Sequence, residues 1–134
     1  MLFRSVVNVS SVQAFITQKT VAPYVTSKTA LLGLTRSIAV DYAPKIRCVA
    51  ICPGTIDTPM LRDAFQLSPH PEIVYQECVD MHLVKRIGTP EEVAELILFV
   101  AGENGGFFTG QALRIDGGLG ITIAGSKKDR KSVV

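Results

Sequence analysis

The stretch IRCVAICPG, residues 46–54, decides the fold. It is a nearly continuous apolar run that ends at Pro53 and Gly54. Such a run is typical of a parallel strand covered by helices on both faces, because neither set of alternating side chains meets water. The sequence therefore predicts a buried parallel strand whose Pro-Gly end lies at the carboxyl edge of a sheet, where ligands bind in open α/β folds.

The residues before this strand predict a second strand and a helix. SVVNVSS, residues 5–11, alternates apolar and polar side chains and ends in two small hydroxylic residues. After a loop, Pro23 suits the first turn of a helix, which continues through a markedly apolar sequence until Pro44. A strand, a helix and a parallel strand in this order predict a βαβ unit.

The residues after it predict an insertion, a helix and a last strand. Residues 55–88 hold two predicted short helices, 61–67 and 71–82, and an insertion after a strand's carboxyl end is where substrate-covering lids lie. TPEEVAELILFVAG, residues 89–102, opens with an N-cap threonine, and QALRID, residues 111–116, predicts a short strand. The predicted fold class is α/β, part of a Rossmann-like doubly wound parallel sheet in residues 1–120, followed by a basic, flexible tail in residues 121–134.

The composition of the chain limits which kinds of partner it can have. A mean hydropathy of +0.29 is high for an independent domain of 134 residues, so we expect part of the surface to meet another chain or a further part of the fold. The longest apolar runs are far too short to span a bilayer, and the first residues do not form a signal-peptide core. Basic residues are scattered except in the tail. We therefore expect a cytoplasmic protein with no membrane and no nucleic-acid partner.

The cysteines and histidines predict no disulfide and no metal site. Cys48 and Cys52 are four residues apart on one strand, roughly 13 Å at about 3.3 Å per residue, which is beyond disulfide reach. Cys78 and His82 could share a helix face as two metal ligands, but no third ligand stands nearby in the sequence. We expect the cysteines to be small buried apolar side chains.

YVTSK, residues 24–28, carries the candidate chemistry. Tyr24 and Lys28 are one helical turn apart, so they share a face. An ammonium beside a phenol stabilises the phenolate, as a general acid/base serving an alcohol or ketone requires. Ser11, at the end of the first predicted strand, could hold the substrate oxygen while Tyr24 moves the proton. The alternatives are that Tyr24 and Lys28 form an ordinary surface pair and that Ser11 only forms a turn.

Several motifs, in their order along the chain, resemble the short-chain dehydrogenase/reductase family of the compact single-domain type. They are N-V-S-S, Y-V-T-S-K, I-R-C-V-A-I-C-P-G-T-I-D-T-P, R-I-G-T-P-E-E-V-A and T-G-Q-A-L-R-I-D-G-G, and they cover residues 5–118. The resemblance implies catalysis by Ser11, Tyr24 and Lys28 with NAD or NADP as cofactor and no metal. It gives Asn8 a structural role.

The same resemblance implies which residues face the cofactor. They are Tyr24, Lys28 at the nicotinamide ribose, Pro53, Gly54, Ile56 through its backbone and Thr58 through its hydroxyl. Thr58 could instead simply cap the helix that follows Pro59.

The chain departs from the family at its start. Family members begin with a glycine-rich turn, T-G-x-x-x-G-x-G, that holds the cofactor pyrophosphate, and neither it nor G-x-G-x-x-G occurs in this sequence. By this comparison the chain matches the carboxyl-terminal half of such an enzyme, the last three strands with their helices.

The implied function is an NAD(P)-dependent oxidoreductase for a small-molecule secondary alcohol or ketone, working as a homodimer or homotetramer through its apolar helix. The alternative is a non-catalytic truncated remnant or an oligomerising fragment. An epimerase or dehydratase with the same tyrosine and lysine is a weaker alternative, because such relatives usually carry a longer carboxyl-terminal substrate domain.

Overall fold

The computed structural model describes residues 4–123, which form a parallel three-stranded sheet with helices around it. In chain order the elements are β1 (Arg4–Val9), α1 (Ala22–Tyr42), β2 (Ile46–Pro53), α2 (Pro59–Gln66), α3 (Pro71–Met81), α4 (Pro90–Ala101) and β3 (Ala112–Ile115). The strand order is β1-β2-β3, and both pairings are parallel. This is the α/β arrangement that the sequence predicts.

Strand β2 is the centre of the core. Its residues from Arg47 to Cys52 are all buried. On one face Ala50 and Cys52 pack with Leu32 of α1, and on the other face Val49 and Ile51 pack with Val100 of α4. The prediction of a strand covered on both faces is confirmed. Burial raises the pKa of the Cys48 and Cys52 thiols, so both stay protonated and act as small apolar side chains.

Strand β1 lies at one edge of the sheet and is joined to α1 by a polar contact. The Asn8 side-chain amide donates a hydrogen bond to the Thr35 hydroxyl at 3.0 Å, and that hydroxyl donates to the Leu31 carbonyl at 2.7 Å. Thr35 is 1% exposed, so its hydroxyl needs these partners. The structural role expected of Asn8 is therefore confirmed.

The two ends of α4 are fixed by different devices. At its start Thr89 is the N-cap, as predicted, and it forms a capping box with Glu92. At its end the buried guanidinium of Arg47 contacts the last turn. Its two Nη atoms donate to the Ser5 hydroxyl and to the carbonyls of Val100, Ala101, Gly102, Gly105 and Phe108. Because a helix carries partial negative charge at its carboxyl end, the cation is stabilised there without a carboxylate partner among residues 4–123.

The segment between β2 and α4 forms a pair of short helices that pack on each other. Helix α2 begins at Pro59, two residues before the predicted start, and α3 ends at Met81, one residue before the predicted end. Neither helix holds a buried residue, and the rings of Phe65 and Tyr75 meet edge-to-face at 6.1 Å. The two helices therefore pack on each other and lie outside the core.

The end of the chain is described only in part. A 3-10 helix at Leu119–Ile121 follows β3, while the predicted tail lies outside the described residues from position 124 onward. None of the helices within residues 4–123 has the length and apolar character of a membrane-spanning segment.

Candidate active site

The carboxyl end of β1 and the first turns of α1 are joined by two hydrogen bonds. The Ser10 hydroxyl donates to the backbone carbonyl of Lys28 at 2.7 Å, and Lys28 Nζ donates to the carbonyl of Val9 at 3.1 Å. Ser10 is 4% exposed, and its N–H donates to the Ile51 carbonyl of β2. These bonds fix the Lys28 ammonium at the end of the strand. The sequence interpretation gave no role to Ser10.

Tyr24 lies beside this ammonium. Lys28 Nζ is 5.7 Å from the centre of the Tyr24 ring, within the range at which a cation is attracted to an aromatic face. The predicted shared face of the two residues is confirmed. Tyr24 is about half exposed, and no hydrogen bond engages its hydroxyl among the described residues.

Ser11 follows β1 and is buried at its end. It is the N-cap of a 3-10 helix, Val12–Ala14, and its Oγ accepts a hydrogen bond from the Gln13 N–H at 3.1 Å. It therefore does form a turn, but a hydroxyl that accepts still has its own proton to donate. In the part of the chain that is described, the hydroxyls of Ser11 and Tyr24 make no hydrogen bond to each other; they share the edge at which β1 ends.

The end of β2 is packed against the end of β3. Pro53 is the last residue of β2, and the Gly54 N–H continues the ladder by donating to the Ile115 carbonyl at 3.0 Å. A Cβ at Gly54 would lie 2.9 Å from the Cα of Asp116, closer than real side chains approach. Only glycine fits here, because the two strand ends touch backbone to backbone.

The backbone of Ile56 faces away from its neighbouring segment. Ile56 forms a parallel bridge with Gly88, in which the Gly88 N–H donates to Thr55 and the Asp57 N–H donates to Gly88, both at 2.9 Å. These bonds use the groups on either side of Ile56, so its own N–H and C=O point in the opposite direction. They form an adjacent donor and acceptor, the pattern that complements a carboxamide such as that of nicotinamide.

Thr58 caps α2, which is the alternative that the sequence left open. Its hydroxyl oxygen accepts from the Leu61 N–H at 3.3 Å, and the hydroxyl proton is left to donate elsewhere. The neighbouring Asp57 forms a two-bonded ion pair with Arg62, which lowers the pKa of the Asp57 carboxyl. The cap and the ion pair together set where α2 begins.

The candidate cofactor contacts fit the nicotinamide end of a dinucleotide. Lys28 has three N–H donors and uses one on Val9, which leaves donors for ribose hydroxyls. Ile56 offers its free backbone pair. Residues 4–123 contain no glycine-rich turn before a helix that would hold the pyrophosphate.

His82 is placed differently from the metal-ligand alternative. Its Nδ1 is 2.6 Å from the Cys78 carbonyl, and its Nε2 is 3.3 Å from the Thr55 N–H. Both ring nitrogens are therefore in use, and no group of three metal-ligating side chains exists within the described range. In the sequence only its spacing from Cys78 was visible, which gave no sign of the contact with Thr55.

The parallel sheet, with its candidate polar groups at the carboxyl ends of β1 and β2, defines a Rossmann-like α/β protein. The chain belongs to the short-chain dehydrogenase/reductase family: a family model described as enoyl-(acyl carrier protein) reductase matches residues 4–120. The resemblance seen in the motifs is thereby confirmed.

Similar proteins come from distant organisms. Over 96 residues the chain is 45% identical to dehydrogenase/reductase SDR family member 6 of Danio rerio, covering 71% of this chain and 39% of the relative. An uncharacterised oxidoreductase of Thermotoga maritima is 45% identical over a match that covers 84% of this chain and 45% of the relative. The ligand-free aldohexose dehydrogenase of Thermoplasma acidophilum superposes with a TM-score of 0.86 at 48% identity. The match covers 93% of this chain and 51% of the dehydrogenase. The chain thus spans about half the length, or less, of the relatives it matches.

Proposed function

We propose that the chain carries the proton-transfer site and the nicotinamide end of an NAD(P)-dependent oxidoreductase that interconverts a secondary alcohol and a ketone. The observation that carries the proposal is the position of the Lys28 ammonium, which is bound to the Val9 carbonyl and lies beside the Tyr24 ring. A cation held there stabilises negative charge on the phenol, so that Tyr24 can give up and take back a proton.

Each catalytic side chain has one role in the proposal. Tyr24 holds the transferred proton at its Oη. The Ser11 hydroxyl uses its remaining proton to bind and orient the substrate oxygen, and Lys28 stabilises the phenolate. When bound, the nicotinamide supplies or accepts the hydride. Membership of the family supports these assignments, because the motifs that contain Ser11, Tyr24 and Lys28 lie within the matched residues 4–120.

The cofactor is NAD or NADP. The Ile56 N–H and C=O would bind the carboxamide, Lys28 the ribose hydroxyls, and Thr58 would donate its free hydroxyl proton, with Pro53 and Gly54 lining the ring. The support is the outward direction of the Ile56 backbone groups and the donors that Lys28 has left.

The substrate is a small-molecule alcohol or ketone, covered by α2 and α3. One similar structure is that of an aldohexose dehydrogenase, which makes sugars one candidate class. We also propose a cytoplasmic homodimer or homotetramer that associates through α1, where Leu34, Val40 and Tyr42 are about half exposed or more.

The second candidate is a non-catalytic remnant or oligomerising fragment. It is favoured by the lack of a T-G-x-x-x-G-x-G turn in this sequence, since the family resemblance assigns the pyrophosphate site to such a turn. A chain of this kind would keep Tyr24 and Lys28 without using them.

A nucleotide titration separates the two candidates. NADH and NADPH are titrated against the 134-residue chain while the nicotinamide fluorescence is followed; the chain has no tryptophan to obscure the signal. Saturable micromolar binding that Lys28→Met weakens is expected, with Lys45→Met, a change at an exposed lysine, as the matched control. No binding of either nucleotide would decide for the non-catalytic candidate.

A further inference from the structure

The imidazole of His82 is buried at the same sheet edge as the candidate active site. His82 directly follows α3 and is 1% exposed. A Cβ at Gly54 would lie 3.1 Å from its Nε2, and a Cβ at Gly117 would lie 3.3 Å from its Cδ2. The ring therefore fills the space between the residues that follow β2 and those that follow β3.

The partners of the ring fix its tautomer. The Thr55 backbone N–H donates to Nε2, so Nε2 carries a lone pair. The Cys78 carbonyl can only accept, so Nδ1 carries the proton that lies between them. The neutral Nδ1–H imidazole satisfies both partners at once. The other tautomer and the imidazolium would each turn an N–H toward the Thr55 N–H.

These contacts hold Thr55 from both sides. Its N–H is bound to His82, and its C=O accepts from the Gly88 N–H at 2.9 Å. The next residue is Ile56, whose direction depends on the peptide plane that it shares with Thr55. The Gly88 bond holds this plane through the Thr55 C=O, and the His82 bond holds the preceding plane through the Thr55 N–H. The two bonds together therefore fix the backbone of Thr55 and with it the direction of the Ile56 N–H.

We propose that His82 is a positioning residue. As the Nδ1–H tautomer it ties the last turn of α3 to Thr55 and so holds the Ile56 backbone toward the nicotinamide. The tie itself stands on the contacts of the ring, while its effect on cofactor binding rests on the proposed function. Because α3 packs on α2, the His82 bond also links this helix pair to the residues that follow β2.

The tautomer is tested by long-range proton–nitrogen NMR on the 134-residue chain. The chain has two histidines, and His70, whose side chain is 69% exposed, serves as the internal reference. His82 is expected to show a protonated Nδ1 and an unprotonated Nε2 at neutral pH, unlike His70. A protonated Nε2 at His82, or a spectrum equal to that of His70, would overturn the proposal.

The tie is tested by amide hydrogen exchange in two variants. His82→Leu removes both ring nitrogens, whereas His82→Gln keeps a side-chain carbonyl that can accept from the Thr55 N–H. Exchange at Thr55 is expected to rise at least about tenfold in His82→Leu and to return toward the wild-type rate in His82→Gln. The reference is the Ala50 amide in the middle of β2, which donates to the Gln111 carbonyl and should not change. Equal exchange at Thr55 in all three chains, or a joint rise at Thr55 and Ala50, would contradict a local tie.

The nucleotide titration separates the contact of His82 with Thr55 from the effect of that contact on cofactor binding. With a chain that binds NADH, His82→Leu should weaken binding about tenfold and His82→Gln much less. Equal affinities would refute the effect on the cofactor. Failure of the wild-type chain to bind would count against the proposed function alone, because the tautomer and the exchange rates still decide whether His82 ties α3 to Thr55.

Discussion

Arg47 Nη1 lies 2.8 Å from the carbonyl oxygen of Val100 in the last turn of α4, and Arg47 is only 7% exposed. Replacing it by methionine would remove the donors to the carbonyls of Val100 and Phe108, and each such loss costs about 1–3 kcal/mol. We expect Arg47→Met to lower the free energy of unfolding by more than about 3 kcal/mol in a urea titration followed by circular dichroism. Arg36→Met, the same change at an exposed position of α1, should leave it nearly unchanged. Similar losses in both variants would disprove the role of Arg47.

Two glycines should respond in opposite directions to alanine. At Gly54 the added methyl meets the backbone of Asp116, so Gly54→Ala should destabilise the chain by about 1–3 kcal/mol and push the ends of β2 and β3 apart. At Gly33, inside α1, the nearest atom is a flexible Arg36 nitrogen at 4.0 Å, so Gly33→Ala should stabilise it by about 0.5–1 kcal/mol. Thermal unfolding of both variants measures the difference. A stabilised Gly54→Ala variant would contradict the close packing at Gly54, and a destabilised Gly33→Ala variant would contradict the open space at Gly33.

Glu92 predicts part of the pH dependence of stability. Hydrogen bonds from Arg86, and then from the Thr89 N–H, lower the pKa of its carboxyl from 4.5 to about 2. A carboxyl whose pKa is lower in the folded state contributes stability that is present above pH 4.5 and is lost as the pH falls toward about 2. We therefore expect the wild type to unfold at a higher urea concentration than Glu92→Gln at about pH 6. The difference between the two urea midpoints should be smaller at about pH 3.

The control for Glu92 is Glu91→Gln. It removes a carboxylate from the same first turn of α4 and leaves the pair with Arg86 intact. Its difference from wild type should change less with pH. A Glu92→Gln gap that stays constant or widens on acidification would show that the ion pair does not stabilise the fold.

The role of Tyr24 is tested by removing one oxygen atom. For any ketone that the protein reduces, Tyr24→Phe should lower kcat at least about a hundredfold while leaving the affinity for the nucleotide nearly unchanged, because the ring stays in place and only the transferable proton is lost. Tyr42→Phe, at the exposed last residue of α1, is the matched control. Retained turnover in Tyr24→Phe would refute the assignment of the proton to this residue.

Helices and strands whose boundaries are set by residues adjacent in the sequence could be predicted from the sequence. The apolar run of β2 and the capping of α4 by Thr89 are local patterns, and both are found where they were expected. Helix α2 begins two residues before its predicted start, at Pro59, where Thr58 as N-cap and Pro59 at the first helical position form a complete start signal.

Within the candidate site, only the contact between residues one helical turn apart could be predicted from the sequence. The shared face of Tyr24 and Lys28 comes from their spacing alone. The bond from Ser10 to the Lys28 carbonyl depends on where β1 ends relative to α1, which no local pattern contains. The contact of His82 with Thr55 likewise joins residues that are 27 positions apart, so the helical spacing of His82 from Cys78 gives no sign of it.

The bond from Lys28 to the Val9 carbonyl has a consequence for ligand affinity. A free lysine side chain samples many rotamers, and ordering it costs about 2 kcal/mol of conformational entropy. Here that entropy is lost when the chain folds, before any ligand arrives. A ligand that meets the ammonium finds it already ordered, with its remaining N–H groups set in direction by the bond to the end of β1. Affinity at this position would then come from preorganisation, and a variant that frees the lysine would weaken binding without removing a single ligand contact.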